Sequence, residues 1–110
     1  MEHTYREIEE EVDRILALVQ SRCKYKVYIA SDVYRVSFLL CARTEFGPKY
    51  AGYIAGVKYI DSITGNDDAR INMVEKIAAS LNKIAKDYGR KYYLYPEYTT
   101  LNSPQLSRGL

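Results

Sequence analysis

The sequence predicts a single α+β domain: a mainly antiparallel sheet with one helix before it and one after, both on one face. Three observations carry that prediction. Apolar residues recur at spacings of three and four near both ends of the chain, three segments between them alternate apolar and polar, and turn-forming residues separate those segments. With 110 residues, 47% of them apolar, the chain is the size of one domain and has enough hydrophobic material for a core.

Thr4-Tyr5-Arg6-Glu7 reads as a capping box, in which the threonine hydroxyl and the glutamate each satisfy a free backbone N–H. Tyr5, Ile8, Val12, Ile15 and Val19 then make one stripe, so a helix is expected over 4–22. Glu7, Glu9, Glu10 and Glu11 fall in its first turns, where the helix dipole favours negative charge. A first strand follows over 24–30, with Tyr25, Val27 and Ile29 on one side and Lys24, Lys26 and Tyr28 on the other.

Ser31-Asp32 reads as a tight turn into a second strand over 33–43. Tyr34, Val36, Phe38 and Leu40 share one of its faces; Arg35, Ser37, Leu39, Cys41 and Arg43 share the other. Glu45 to Lys49, with Gly47-Pro48, is the next turn. A third strand is expected over 50–61, with Tyr50, Gly52, Ile54, Gly56, Lys58 and Ile60 pointing away from the helices.

Asn66-Asp67-Asp68 supplies N-caps and early acids for a second helix that runs to Tyr88, with Gly89 beyond it and basic residues crowding its end. Lys91 to Tyr95 reads as a short strand stopped by Pro96. The segment 99–110 reads as an extended or disordered tail outside the domain of residues 1–98.

Composition excludes several classes. Net charge is +2, so attraction to nucleic acid needs local clustering of bases. The apolar runs are too short to cross a bilayer, and the polar N-terminus is not a signal peptide, so an intracellular, cytoplasmic chain with no membrane partner is expected. Cys23 and Cys41 lie in apolar segments and are expected reduced and buried. Without CxxC spacing, and with one histidine, they make no zinc site. His3 is expected to be solvated in a frayed terminus. No motif calls for a cofactor or metal.

The unusual number is 12 tyrosines against 2 phenylalanines and no tryptophan. The face opposite the helices is expected to hold Lys24, Lys26, Tyr28, Arg35, Tyr50 and Lys58, where cations could track phosphates and rings could stack on bases. Such a face is also compatible with plain solvation. Leu39, Ile54 and Ile60 on the same face, with Tyr93 and Tyr95 of the last strand, point instead to a protein interface, above all a homodimer. The reading is a non-catalytic binding module, a homodimer whose other partner is protein or nucleic acid.

A different class follows from element order. Helix, three strands, helix, strand resembles the core of the PD-(D/E)xK nuclease superfamily over nearly the whole chain. Ser31-Asp32 and Gly56-Val57-Lys58 stand in the order of its motif, with glycine where the second acid would be. That resemblance implies a metal-dependent nuclease, or an inactive relative, using Asp32, Lys58 and one of Glu9, Glu10 or Glu11. The order also resembles the double-stranded-RNA-binding domain, but here Asp67-Asp68 opens the second helix where that domain places lysines.

Overall fold

The computed structural model describes residues 2–100, so the expected tail lies outside the described residues from position 101 onward. The elements are α1 (Tyr5–Gln20), β1 (Tyr28–Ser31), β2 (Arg35–Thr44), β3 (Gly47–Gly56), α2 (Val57–Ile63), α3 (Asp67–Tyr88) and β4 (Tyr93–Leu94). The fold is α+β, built on a four-stranded antiparallel sheet, with one helix more than the sequence led us to expect.

The capping box forms as the sequence spells it: Glu7 N–H donates to Thr4 Oγ1 at 3.2 Å, and Thr4 N–H to Glu7 Oε1 at 3.0 Å. From there α1 turns Ile8, Val12, Ile15 and Val19 into the core. Glu11 of α1 pairs with Arg70 near the start of α3, while the Arg22 carbonyl just after α1 accepts from Asn82 late in α3. The two long helices therefore run parallel and end at the same pole of the molecule. Their apolar stripes close over Val36, Phe38, Leu40 and Ala42 of β2, and each large side chain buried there is worth about 1.5–3 kcal/mol.

The central strand is β2. It pairs with β3 along its whole length, from Arg35 opposite Gly56 to Thr44 opposite Gly47. Glu45 and Phe46 form the hairpin tip, and Gly47 takes the φ of +105° that closes such a turn. Thr44 Oγ1 fastens the turn, accepting from Phe46 N–H at 3.2 Å and donating to the Gly47 carbonyl at 2.7 Å. Inside β3, Gly52 lies so close to β2 that a Cβ would sit 1.8 Å from the Phe38 carbonyl oxygen. The strand glycine therefore marks close backbone approach.

The other edge of β2 is shared. Its first half pairs with β1, from Val36 opposite Ser31 to Leu39 opposite Tyr28. Its second half pairs with β4, Ala42 opposite Leu94 and Arg43 opposite Tyr93. Because β4 occupies that edge, residues 24–27 peel away, and the first strand begins at Tyr28 rather than Lys24. The displaced segment finds other partners. Lys26 N–H donates to the Tyr95 carbonyl and Glu97 N–H to that of Lys24, both at 2.9 Å. The Gln20 side chain serves the Tyr25 carbonyl and the Val27 N–H.

A second correction concerns the third strand, which runs from Gly47 to Gly56 instead of from Tyr50 to Asp61. Val57-Lys58-Tyr59-Ile60-Asp61-Ser62-Ile63 forms α2. Val57, Ile60 and Ile63 recur every third residue and all three are buried in the main core, which an extended strand could not achieve. Thus Ile60 belongs to the core and Lys58 has left the sheet.

The candidate binding surface at the hairpin pole

The face opposite the helices is largely covered by its own tyrosines. Tyr28, Ala30, Leu39 and Cys41 form a small buried cluster there, with Tyr50 and Tyr95 packed against it. Tyr28 and Tyr50 meet edge to face, centroids 6.3 Å apart, and Leu39 beneath them is only 4% exposed. Burial, with Cys41 alongside, pushes the Tyr50 phenol up to about 12. Both cysteines are free thiols, and burial raises each above its usual value. Ile54 differs from its neighbours: it stays 54% exposed on this face.

The six basic and aromatic residues expected to share the face do not form one surface. Tyr28 and Tyr50 stack on each other. Lys24 and Lys26 sit on the segment that peels off to meet residues 95–97. Arg35 lies at the far end of β2 beside Asp32, and Lys58 lies on α2 next to that end. Of the residues expected at an interface, Leu39 and Ile60 are interior, Tyr95 is partly buried, and Ile54 and Tyr93 remain open to solvent.

The residues of the nuclease resemblance also separate. Asp32 Oδ1 accepts from the N–H groups of Tyr34 at 2.7 Å and Arg35 at 2.8 Å, which holds its carboxyl below the usual range. Glu9 and Asp32 border one cleft of about 300 Å³, floored by Ile8, Val12 and Val36. Lys58 borders a different cleft, with Glu2, Asp61 and Ser62. Glu10 is exposed between Arg6 and Arg14, and Glu11 is buried on Arg70. Among the described residues, no three of His, Cys, Asp and Glu converge as a metal set.

His3 is not a solvated terminal residue. Its Nδ1 lies 2.7 Å from Asp61 Oδ1, and the N–H groups of Glu2 and His3 donate to the same carboxylate at 3.1 Å. The hydrogen bond raises the His3 pKa and lowers that of Asp61.

Charge gathers elsewhere. Because α1 and α3 run parallel, the acids that favour helix starts collect at one pole, and the basic end of α3 lies at the other. Glu7, Glu9, Glu10, Asp67 and Asp68 lie at the first pole, with Asp32 of the β1–β2 turn. At the second, Lys86 lies beside Asp87 in the last turn of α3, Arg90 and Lys91 follow the helix end, and the β2–β3 hairpin brings Arg43 and Lys49 beside them. Aromatic rings contact two of these cations. The Arg43 guanidinium sits 4.6 Å from the Tyr93 centroid, and Lys49 Nζ sits 5.2 Å from that of Tyr88 and 6.0 Å from that of Tyr92. At the tip beyond them Phe46 stands 92% exposed.

The sequence shows each component of this pole: a basic helix end, a Gly-Pro turn and a tyrosine run. Their union depends on the pairing of β4 with β2, which brings residues 90–93 to residues 43–49. No local pattern announces that long-range pairing. Compared with protein-family models, with curated proteins and with solved structures, the chain finds no match.

Proposed function

We propose that the chain is a small non-catalytic module that binds nucleic acid through its hairpin pole. One observation carries the reading: although net charge is only +2, Arg43, Lys49, Lys86, Arg90 and Lys91 share one end of the molecule with Tyr93 and Phe46. Clustered cations release counterions from a phosphate backbone, and exposed rings offer stacking surfaces, so both terms of such binding are available together. The acids at the opposite pole would keep that end away from a polyanion.

The test is fluorescence anisotropy of a labelled mixed-sequence oligonucleotide across a salt series. With about four phosphates neutralised, log K should fall against log salt with a slope of about −3 to −4. Lys49→Glu and Lys91→Glu should each flatten that slope by roughly one unit or more. Arg35→Glu and Lys58→Glu, at the other pole, should leave it unchanged. Absence of binding at low salt would refute the proposal.

Self-association is a second reading, favoured by β3. Its outer edge has no strand partner among the described residues, and Ile54 is exposed on it. A dimer across that edge should dissociate in Ile54→Asp, read by sedimentation. A wild-type chain that stays monomeric at high concentration would exclude it.

A further inference from the structure

We infer that the hairpin tip enters duplex nucleic acid, with Phe46 as a wedge between base pairs and Arg43 and Lys49 on the phosphates either side; this rests on the binding reading above. The ring of Phe46 has no part in holding the turn. Thr44 Oγ1 takes the Phe46 N–H and gives its own proton to the Gly47 carbonyl, and Gly47 supplies the positive φ, so a polar residue at 46 would close the turn equally well. A large apolar side chain 92% exposed at such a position has no role in the fold. The tip is also firm: Pro48 fixes one backbone angle directly after the turn.

The flanking cations sit on opposite faces of the ribbon. Arg43 pairs with Tyr93 and Pro48 on the open face, whereas Lys49 pairs with Ala42 and lies over Tyr88 and Tyr92 on the helix side. A two-stranded ribbon with one cation per face meets both walls of a groove, and the residue at its apex is the one that reaches the bases. Apolar wedges of this type unstack a single step and bend the duplex, most easily at flexible pyrimidine–purine steps. A lipid surface is the less suitable occupant. Membrane insertion requires a broad apolar area, and here one ring stands between Glu45 and Gly47. Glu45 works against phosphate, so it should limit affinity without blocking entry.

The experiment uses the full chain and a short duplex with a donor and an acceptor at its ends and 2-aminopurine at a central TA step. Wild type should brighten the 2-aminopurine and shorten the end-to-end distance. Phe46→Ala, at a site where folding is not at stake, should lose both signals and about tenfold in affinity while keeping the salt slope. Phe46→Trp should keep both signals. Arg43→Glu should instead weaken binding and flatten the slope. Wild-type binding with the expected slope but no brightening or bending would overturn the wedge and leave the binding reading standing. No binding at low salt would overturn both. Phe46-dependent attachment to phosphatidylserine–phosphatidylcholine vesicles, with no response from the duplex, would overturn the proposal in favour of a lipid surface.

Discussion

Glu11 of α1 and Arg70 of α3 form a buried bidentate ion pair. The glutamate is 0% exposed, its Oε1 accepts from Arg70 Nη2 at 2.8 Å, and its Oε2 accepts from Arg70 Nε. The Gly65 N–H donates to Oε1 as well, at 3.0 Å, so the pair also anchors the turn between α2 and α3. These hydrogen bonds, Arg70 foremost, hold the Glu11 carboxyl below its usual range despite burial.

Removing Arg70 leaves the fully buried Glu11 carboxylate without its main partner. Arg70→Met should therefore cost about 3–5 kcal/mol in urea denaturation, and Glu11→Leu less, because Arg70 keeps its pair with Asp67. The double variant should recover most of that loss, because two apolar side chains of similar size need no partners. Losses that simply add would show that the pair does not act as a unit.

Gly52 permits no side chain. With a Cβ placed 1.8 Å from the Phe38 carbonyl oxygen, Gly52→Ala must push β2 and β3 apart in mid-ladder. The expected loss is about 3 kcal/mol or more, seen as a large fall in melting temperature. Gly56→Ala, where a Cβ meets nothing within 4 Å, is the control and should fold normally.

The His3–Asp61 contact should make stability depend on pH at both ends of its range. The raised His3 pKa means stabilisation present in full below about 6.5 and lost as pH rises through the folded-state value. The lowered Asp61 pKa means stabilisation present above about 3.9 and lost as pH falls through its folded-state value. Melting temperature should therefore decline above neutrality in wild type, and His3→Ala should remove that decline. An unchanged alkaline limb in His3→Ala would contradict the assignment.

Tyr50 should ionise last among the ordered tyrosines. Burial pushes its phenol up to about 12, above the ordinary tyrosine value of about 10. An ultraviolet titration should show a delayed component that Tyr50→Phe diminishes, leaving the part due to Tyr28, whose pKa burial also raises. Since the folded state disfavours the phenolate, this group's contribution is intact below about 10 and is lost as pH climbs toward about 12.

Legibility in the sequence followed the range of the interactions. The capping box at Thr4 and Glu7, the stripe from Ile8 to Val19 and the two faces of β2 are local patterns, and each is realised, except that Tyr34, expected beside Val36, lies exposed in the turn before β2. At Val57 to Ile63 two local patterns compete. Val57 and Tyr59 alternate as in a strand, Val57, Ile60 and Ile63 repeat as in a helix, and burial of the latter three decides between them. Glu11 carried a readable signal, since it stands between Ile8 and Ile15 on the apolar stripe, where a charge calls for a buried partner. Its partner, 59 positions away, could not be named from that signal. The basic pole was unreadable for the same reason, because β4 joins the hairpin only through pairing across half the chain.

The parallel run of α1 and α3 has a kinetic consequence. Two helices with acidic starts, aligned with the basic end of α3 at the opposite pole, would give the molecule an electric moment despite its small net charge. Near a polyanion that moment exerts a torque, turning the chain hairpin-first before contact. The fraction of collisions that succeed would then be set by rotation rather than by attraction as a whole. Added salt would slow arrival far more than it hastens departure, which stopped-flow measurements of the two rates can separate.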